Sequence, residues 1–201
     1  MGDAVIVIFK IIVTILLSPV IYSAVIAFKG HLDGPLLAYE TFLLWGALSF
    51  LLAFLFIYPF WAVYEFSQKC LRAMFAFVTP FNTTIARFVP VYMILVLLIL
   101  FIVRRLGYLA NYEHVFLFFA GFFGAMHILL TAQDMQAEEQ TAVKPNYFFL
   151  MTFVVIVDLS LFILLMDLII KKLTFPMFLQ ATYQSSKSIY DWVIHRLMTW
   201  H

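Results

Sequence analysis

Two aspartates stand in the run "NYFFLMTFVVIVDLSLFILLMDLIIKK", residues 146–172, which is otherwise almost pure hydrocarbon. On insertion scales an aspartate at the centre of a membrane-spanning helix costs about 2.5–3.5 kcal/mol. Asp158, near the middle of the run, must therefore face a bundle or a partner and be either protonated or paired. Two kinds of chemistry fit: a proton or ion relay, or a hydrogen-bonded contact that rivets helices together. Asp167 lies nine residues further on, about 900° around the helix at 100° per residue, and so on the opposite face. Lys171 follows it at i+4, the favourable acid-before-base order, and both are near the end of the run. This pair reads as an interfacial ion pair.

Two residues qualify as partners for Asp158. Lys10 sits early in the first apolar run, and His127 late in the fourth. At 1.5 Å per residue their depths differ from that of Asp158 by roughly 7–10 Å, all in one half of a bilayer. Lys10, His127 and Asp158 are thus the candidate intramembrane relay. Lys10 has a competing reading, in which its amine snorkels to the nearer interface. In "HILLTAQDMQAEEQ" His127, Asp134 and Glu138 share one helical face, a ladder that would suit metal binding or a proton path. No second histidine stands at ligand spacing, and His114 falls on nearly the opposite face from His127. The expectation is no metal, no cofactor, a polar loop at 131–146 and, within it, a solvated loop or helix end at "QDMQAEEQ". "AGFFGA" supplies two small-xxx-small pairs, Ala120 with Gly124 and Gly121 with Ala125, which let another helix approach closely. That helix can belong to the same chain or to a second copy.

The elements that must position these residues follow from composition. Of 201 residues 65% are hydrophobic and 11% charged, against about 45–50% and about 25% in soluble domains. A chain of this size cannot bury so much apolar surface by itself, so lipid must cover much of it. The net charge of +1 is too balanced for nucleic-acid binding. A lone Cys70 excludes an internal disulfide and a cysteine-only metal site.

Five segments approach the ~20 apolar residues that a span needs: 4–28, 36–63, 89–103, 115–132 and 147–170. None alternates as a barrel strand would, so all read as helices. Ser18-Pro19 predicts a kink in the first. The first run is too long, and its start too acidic at Asp3, for a cleaved signal. Residues 64–88 are amphipathic, with Glu65, Gln68, Lys69 and Arg72 on one face. They are expected to continue the second span beyond the bilayer, to re-enter it or to form a sixth crossing. Residues 174–201 read as an amphipathic C-terminal helix, interfacial or docked on a partner, beside a bundle formed by 1–173. Counting Lys29, Arg104, Arg105, Lys171, Lys172, Lys187 and Arg196 on one side against Lys10, Lys69, Arg72, Arg87 and Lys144 leans the C-terminus toward the cytoplasm.

The expected fold is an all-α polytopic transmembrane bundle of about five spans with amphipathic interfacial helices. Glycine is scarce and phenylalanine abundant, seven against 24, which favours rigid packing over the broken helices of carriers. No nucleophile–base spacing or phosphate cradle is present, so no enzyme is expected. The leading expectation is a non-enzymatic subunit that anchors, assembles or gates a membrane complex, as a homo-oligomer or with another protein, in a bacterial inner membrane. A small proton- or ion-coupled transporter using Asp158 with Lys10 or His127 is the alternative. A membrane-embedded enzyme is the third.

Overall fold

The structure, a computed structural model, describes residues 2–32, 37–56, 60–78, 81–107, 112–138, 144–170 and 174–199. These form eight α-helices: α1 (Gly2–Leu32), α2 (Leu37–Phe56), α3 (Phe60–Met74), α4 (Asn82–Phe88), α5 (Val91–Arg105), α6 (Glu113–Glu138), α7 (Pro145–Ile170) and α8 (Thr174–Met198). A 3-10 turn, Ala76–Val78, lies between α3 and α4, and no strand occurs among the described residues. Helices α1, α6 and α7 are long and apolar enough to cross a bilayer. The bent pairs α2–α3 and α4–α5 raise the number of candidate spans to five if each pair is one span. The chain is an all-α bundle with the helices of an integral multi-pass membrane protein.

Helix α6 is the hub. It packs against α2, α5, α7 and part of α3, and small residues set how closely. A Cβ added to Gly121 would run into the Leu43 carbonyl of α2, one on Gly46 would meet the Phe118 carbonyl, and one on Gly124 would meet the Phe162 ring of α7. Ala120 is fully buried and Ala125 packs beside Phe50 and Met126. The "AGFFGA" face is therefore spent inside the chain, drawing α2 and α7 onto α6. In lipid this close approach matters more than hydrophobicity, because hydrocarbon outside is as apolar as the side chains inside. Phenylalanines fill the remaining space: Phe50 meets Phe60 and Phe122 edge-on, with centroids at 5.5 and 5.4 Å.

The structure differs from the sequence expectation at the second span. The second span was expected to run to Val63. Helix α2 stops at Phe56, and α3, from Phe60, is turned by 111°. Residues 64–88 are interrupted between α3, which ends at Met74, and α4, which begins at Asn82; Thr79-Pro80, where the sequence predicts a break, lies outside the described residues. Of the polar face of α3 only Gln68 is buried, with Tyr64, Ser67 and Leu71, while Glu65 and Lys69 pair with each other at the exposed surface beside Phe66 and Met74.

α8 packs antiparallel along α1. Phe178 buries against Ala24 and Ala27, Ser23 Oγ donates to Ser185 Oγ at 3.1 Å, and the Tyr190 hydroxyl donates to the Leu16 carbonyl. α1 runs through Pro19 as a single helix. Proline has no N–H for the Ile15 carbonyl, and the Ser18 hydroxyl donates to that carbonyl at 2.8 Å instead.

Gly121→Ala should lower the thermal unfolding midpoint in detergent more than Gly124→Ala does. The first methyl meets rigid backbone and the second the end of an aromatic ring. Overpacking of this kind costs about 1–3 kcal/mol, and equal midpoints for the two variants would contradict the packing described.

Candidate functional site

Asp158 is fully buried on α7, and its carboxylate lies 3.1 and 3.0 Å from Nδ1 of His127 on α6. Of the two partners the sequence allowed, the structure selects His127. The other, Lys10, donates instead to Asn146 Oδ1 at the start of α7. Three helices meet at His127, because its Nε2 lies 3.1 Å from the backbone carbonyl of Arg87 on α4. A carbonyl only accepts, so Nε2 carries a hydrogen and donates it. The remaining contact, Nδ1 with the carboxylate, then holds one proton. Whether that proton rests on the imidazole or on the carboxyl, the pair has no net charge.

Arg87 extends the network. The sequence entered it only in the tally of basic residues; in the structure it is 5% exposed and central. Its Nε donates to Asp134 at 2.9 Å, and a terminal nitrogen donates to Glu138. Both carboxylates come from α6, one and two turns beyond Thr131, so two acids from one helix clasp a guanidinium from another. Gln68 Nε2 donates to the Ala86 carbonyl at 3.2 Å, and the Tyr64 hydroxyl is 3.1 Å from Thr131 Oγ1. His127, Thr131, Asp134 and Glu138 thus form one polar stripe on α6. It is read by α7, α3 and α4 in turn.

The His127–Asp134–Glu138 ladder is consequently split between two partners and is not gathered around a common point. Among the described residues no group of three His, Cys, Asp or Glu side chains could hold a metal ion. The Asp167–Lys171 pair cannot be placed, since Lys171 lies outside the described residues. Asp167 has another role: its Oδ2 accepts the backbone N–H of Phe175 at 3.1 Å, in the first turn of α8. A carboxylate there satisfies an orphan donor and complements the positive end of the helix.

Arg87 was missed because no spacing rule links a residue on a short helix to acids some fifty positions away. The signal available was compositional: two acids on one face of an apolar helix, with no base at i±4 to pair them.

Comparison with protein-family models, with curated proteins and with solved structures gives no match.

Arg87→Leu should destabilise the detergent-solubilised protein by about 3–5 kcal/mol, the usual cost of stranding one partner of a buried ion pair. Adding Asp134→Leu should restore part of that loss. Equilibrium unfolding of the single and double variants tests the coupling, and a double variant no more stable than Arg87→Leu would contradict it.

Proposed function

We propose that the chain is a non-enzymatic multi-pass membrane subunit that anchors or assembles a larger membrane complex. The observation that carries this reading is the outward face of α8. By Tyr190 this helix has descended alongside α1 to Leu16, the middle of a candidate span running Val5–Gly30. Gln180, Gln184, Lys187 and Asp191 are exposed along α8 over this depth. Side chains of this kind in a bilayer face protein or water, not acyl chains. A second copy or another subunit laid against α8 supplies that cover. The Arg104–Arg105 doublet at the end of α5, with Lys29 at the end of α1, supports reading this end of the bundle as the cytoplasmic one in a bacterial inner membrane. α8 begins there and runs back, so Lys187 and Arg196 leave the cytoplasmic count.

The contact between His127 and Asp158 favours a second reading, a small proton- or ion-coupled transporter. The same geometry ranks it lower. A relay must hand its proton on, and the far nitrogen of His127 ends on a peptide carbonyl that has none to pass. Beyond Asp158, α7 continues into Phe162, Ile163, Leu165 and Met166, all buried and apolar. The pair behaves as an electroneutral rivet joining α4, α6 and α7. An enzyme using His127, Asp134 and Glu138 ranks third, each being already engaged.

Purification in mild detergent should yield a homo-oligomer or a co-purifying chain, and Lys187→Leu with Asp191→Leu should alter that assembly. A monodisperse monomer would count against the proposal. Asp158→Asn should assemble as the parent does, because its amide can donate to Nδ1. Asp158→Leu should lose about 1–3 kcal/mol by orphaning that nitrogen. A proton flux in proteoliposomes that Asp158→Asn abolishes would favour the transporter.

A further inference from the structure

A cavity of about 540 Å³ opens where α1, α4, α6 and α7 come together, within the range of about 300–1,000 Å³ that small-molecule sites occupy. One wall is aromatic: Phe153 stands against Phe88 and Phe149, with ring centroids at 5.7 and 5.1 Å. The polar lining is Lys10, Thr84, Arg87, Glu138 and Asn146. Lys10 and Arg87 against Glu138 leave this lining with one net positive charge. Arg87 is already clasped by Asp134 and Glu138. Lys10 has no carboxylate partner among the described residues; its amine donates to the Asn146 side-chain oxygen.

The level of the cavity indicates what it can hold. Lys10 lies five residues inside the start of the α1 candidate span at Val5, roughly 8 Å along the helix. Asn146 is the second residue of α7 and Glu138 the last of α6. The polar rim therefore stands at the boundary between headgroups and hydrocarbon, and the phenylalanines line the space beside it. A cation at that boundary with an apolar slot next to it is complementary to an anionic amphiphile. Snorkelling would place the amine of Lys10 but would not call for an aromatic pocket beside it.

We propose that this cavity is a binding site for an anionic amphiphile, with its phosphate or carboxylate group on the Lys10 amine and one acyl chain against Phe88, Phe149 and Phe153. No α8 residue lines the cavity, so the site does not depend on the assembly surface. It also gives Lys10 a partner in place of Asp158.

The test is native mass spectrometry of the chain in mild detergent, titrated separately with phosphatidylglycerol, phosphatidylcholine and oleate. At least one of the two anionic amphiphiles should be retained over phosphatidylcholine, and which one identifies the headgroup as phosphate or carboxylate. Lys10→Gln keeps a hydrogen-bonding side chain opposite Asn146 but removes the charge. It should weaken retention of the anionic amphiphile about fivefold, the factor that one basic side chain near an anionic surface contributes. Leu150→Trp, which leaves the charges untouched, should abolish retention by filling the slot. Equal retention of phosphatidylcholine, or retention unchanged in both variants, would overturn the proposal.

Discussion

Arg87 holds the interior together from two directions. Its guanidinium reaches Asp134 and Glu138 on α6, and its backbone carbonyl takes the Nε2 hydrogen of His127. In a hydrocarbon surrounding no water can stand in for either contact. A short helix carrying such a residue is thereby committed to one position, crossing α6 with its carbonyl at His127 and its charge two turns away. His127 then fixes α7 through Asp158. The register of three helices follows from a single basic residue and the requirement that every polar group find a partner inside the chain.

Close packing and polar pairing divide the length of α6 between them. Toward its start, Gly121 and Gly124 admit α2 and α7 to near contact, and the interface is made of van der Waals surface. From His127 onward the same helix presents a polar stripe. There α3 and α4 are held by Tyr64, Gln68 and Arg87, with apolar packing at the edges. Ion pairs of this kind contribute little net stability over apolar packing, yet they discriminate strongly against misregistered arrangements, each of which would strand a charge. Net neutrality is kept at the His127–Asp158 contact by one shared proton.

The outer surface follows the complementary rule. α3 turns Phe66 and Met74 outward, and most of α1 shows apolar side chains to its surroundings. Against that background the row Gln180, Gln184, Lys187 and Asp191 on α8 is out of place in lipid, and the cavity beside Lys10 is another place where charge and hydrocarbon meet at the surface. The α8 row lies on a helix that the polar network does not clamp, and Lys10 reaches the cavity from another, α1. This leaves the periphery of the bundle free for contacts beyond the chain while the centre is closed.

The helical class, the multi-pass apolar character and the acids that are costly in hydrocarbon were legible in the sequence, because hydrocarbon length, charge scarcity and the cost of a buried aspartate are local quantities. The separation of Asp158 from Asp167 was legible too, from helical phase alone, and so was the small-residue face of Ala120, Gly121, Gly124 and Ala125. What periodicity could not give was who meets whom. Choosing His127 over Lys10 for Asp158, bringing Arg87 to Asp134 and Glu138, turning Gln68 inward and laying α8 along α1 all depend on which helices are neighbours. Neighbours are set by close approach at glycines and by polar groups seeking partners across dozens of residues, where sequence spacing carries no phase. The sequence determined that Asp158 needs a partner, and only the tertiary structure decided that the partner is a histidine already closed on its far side.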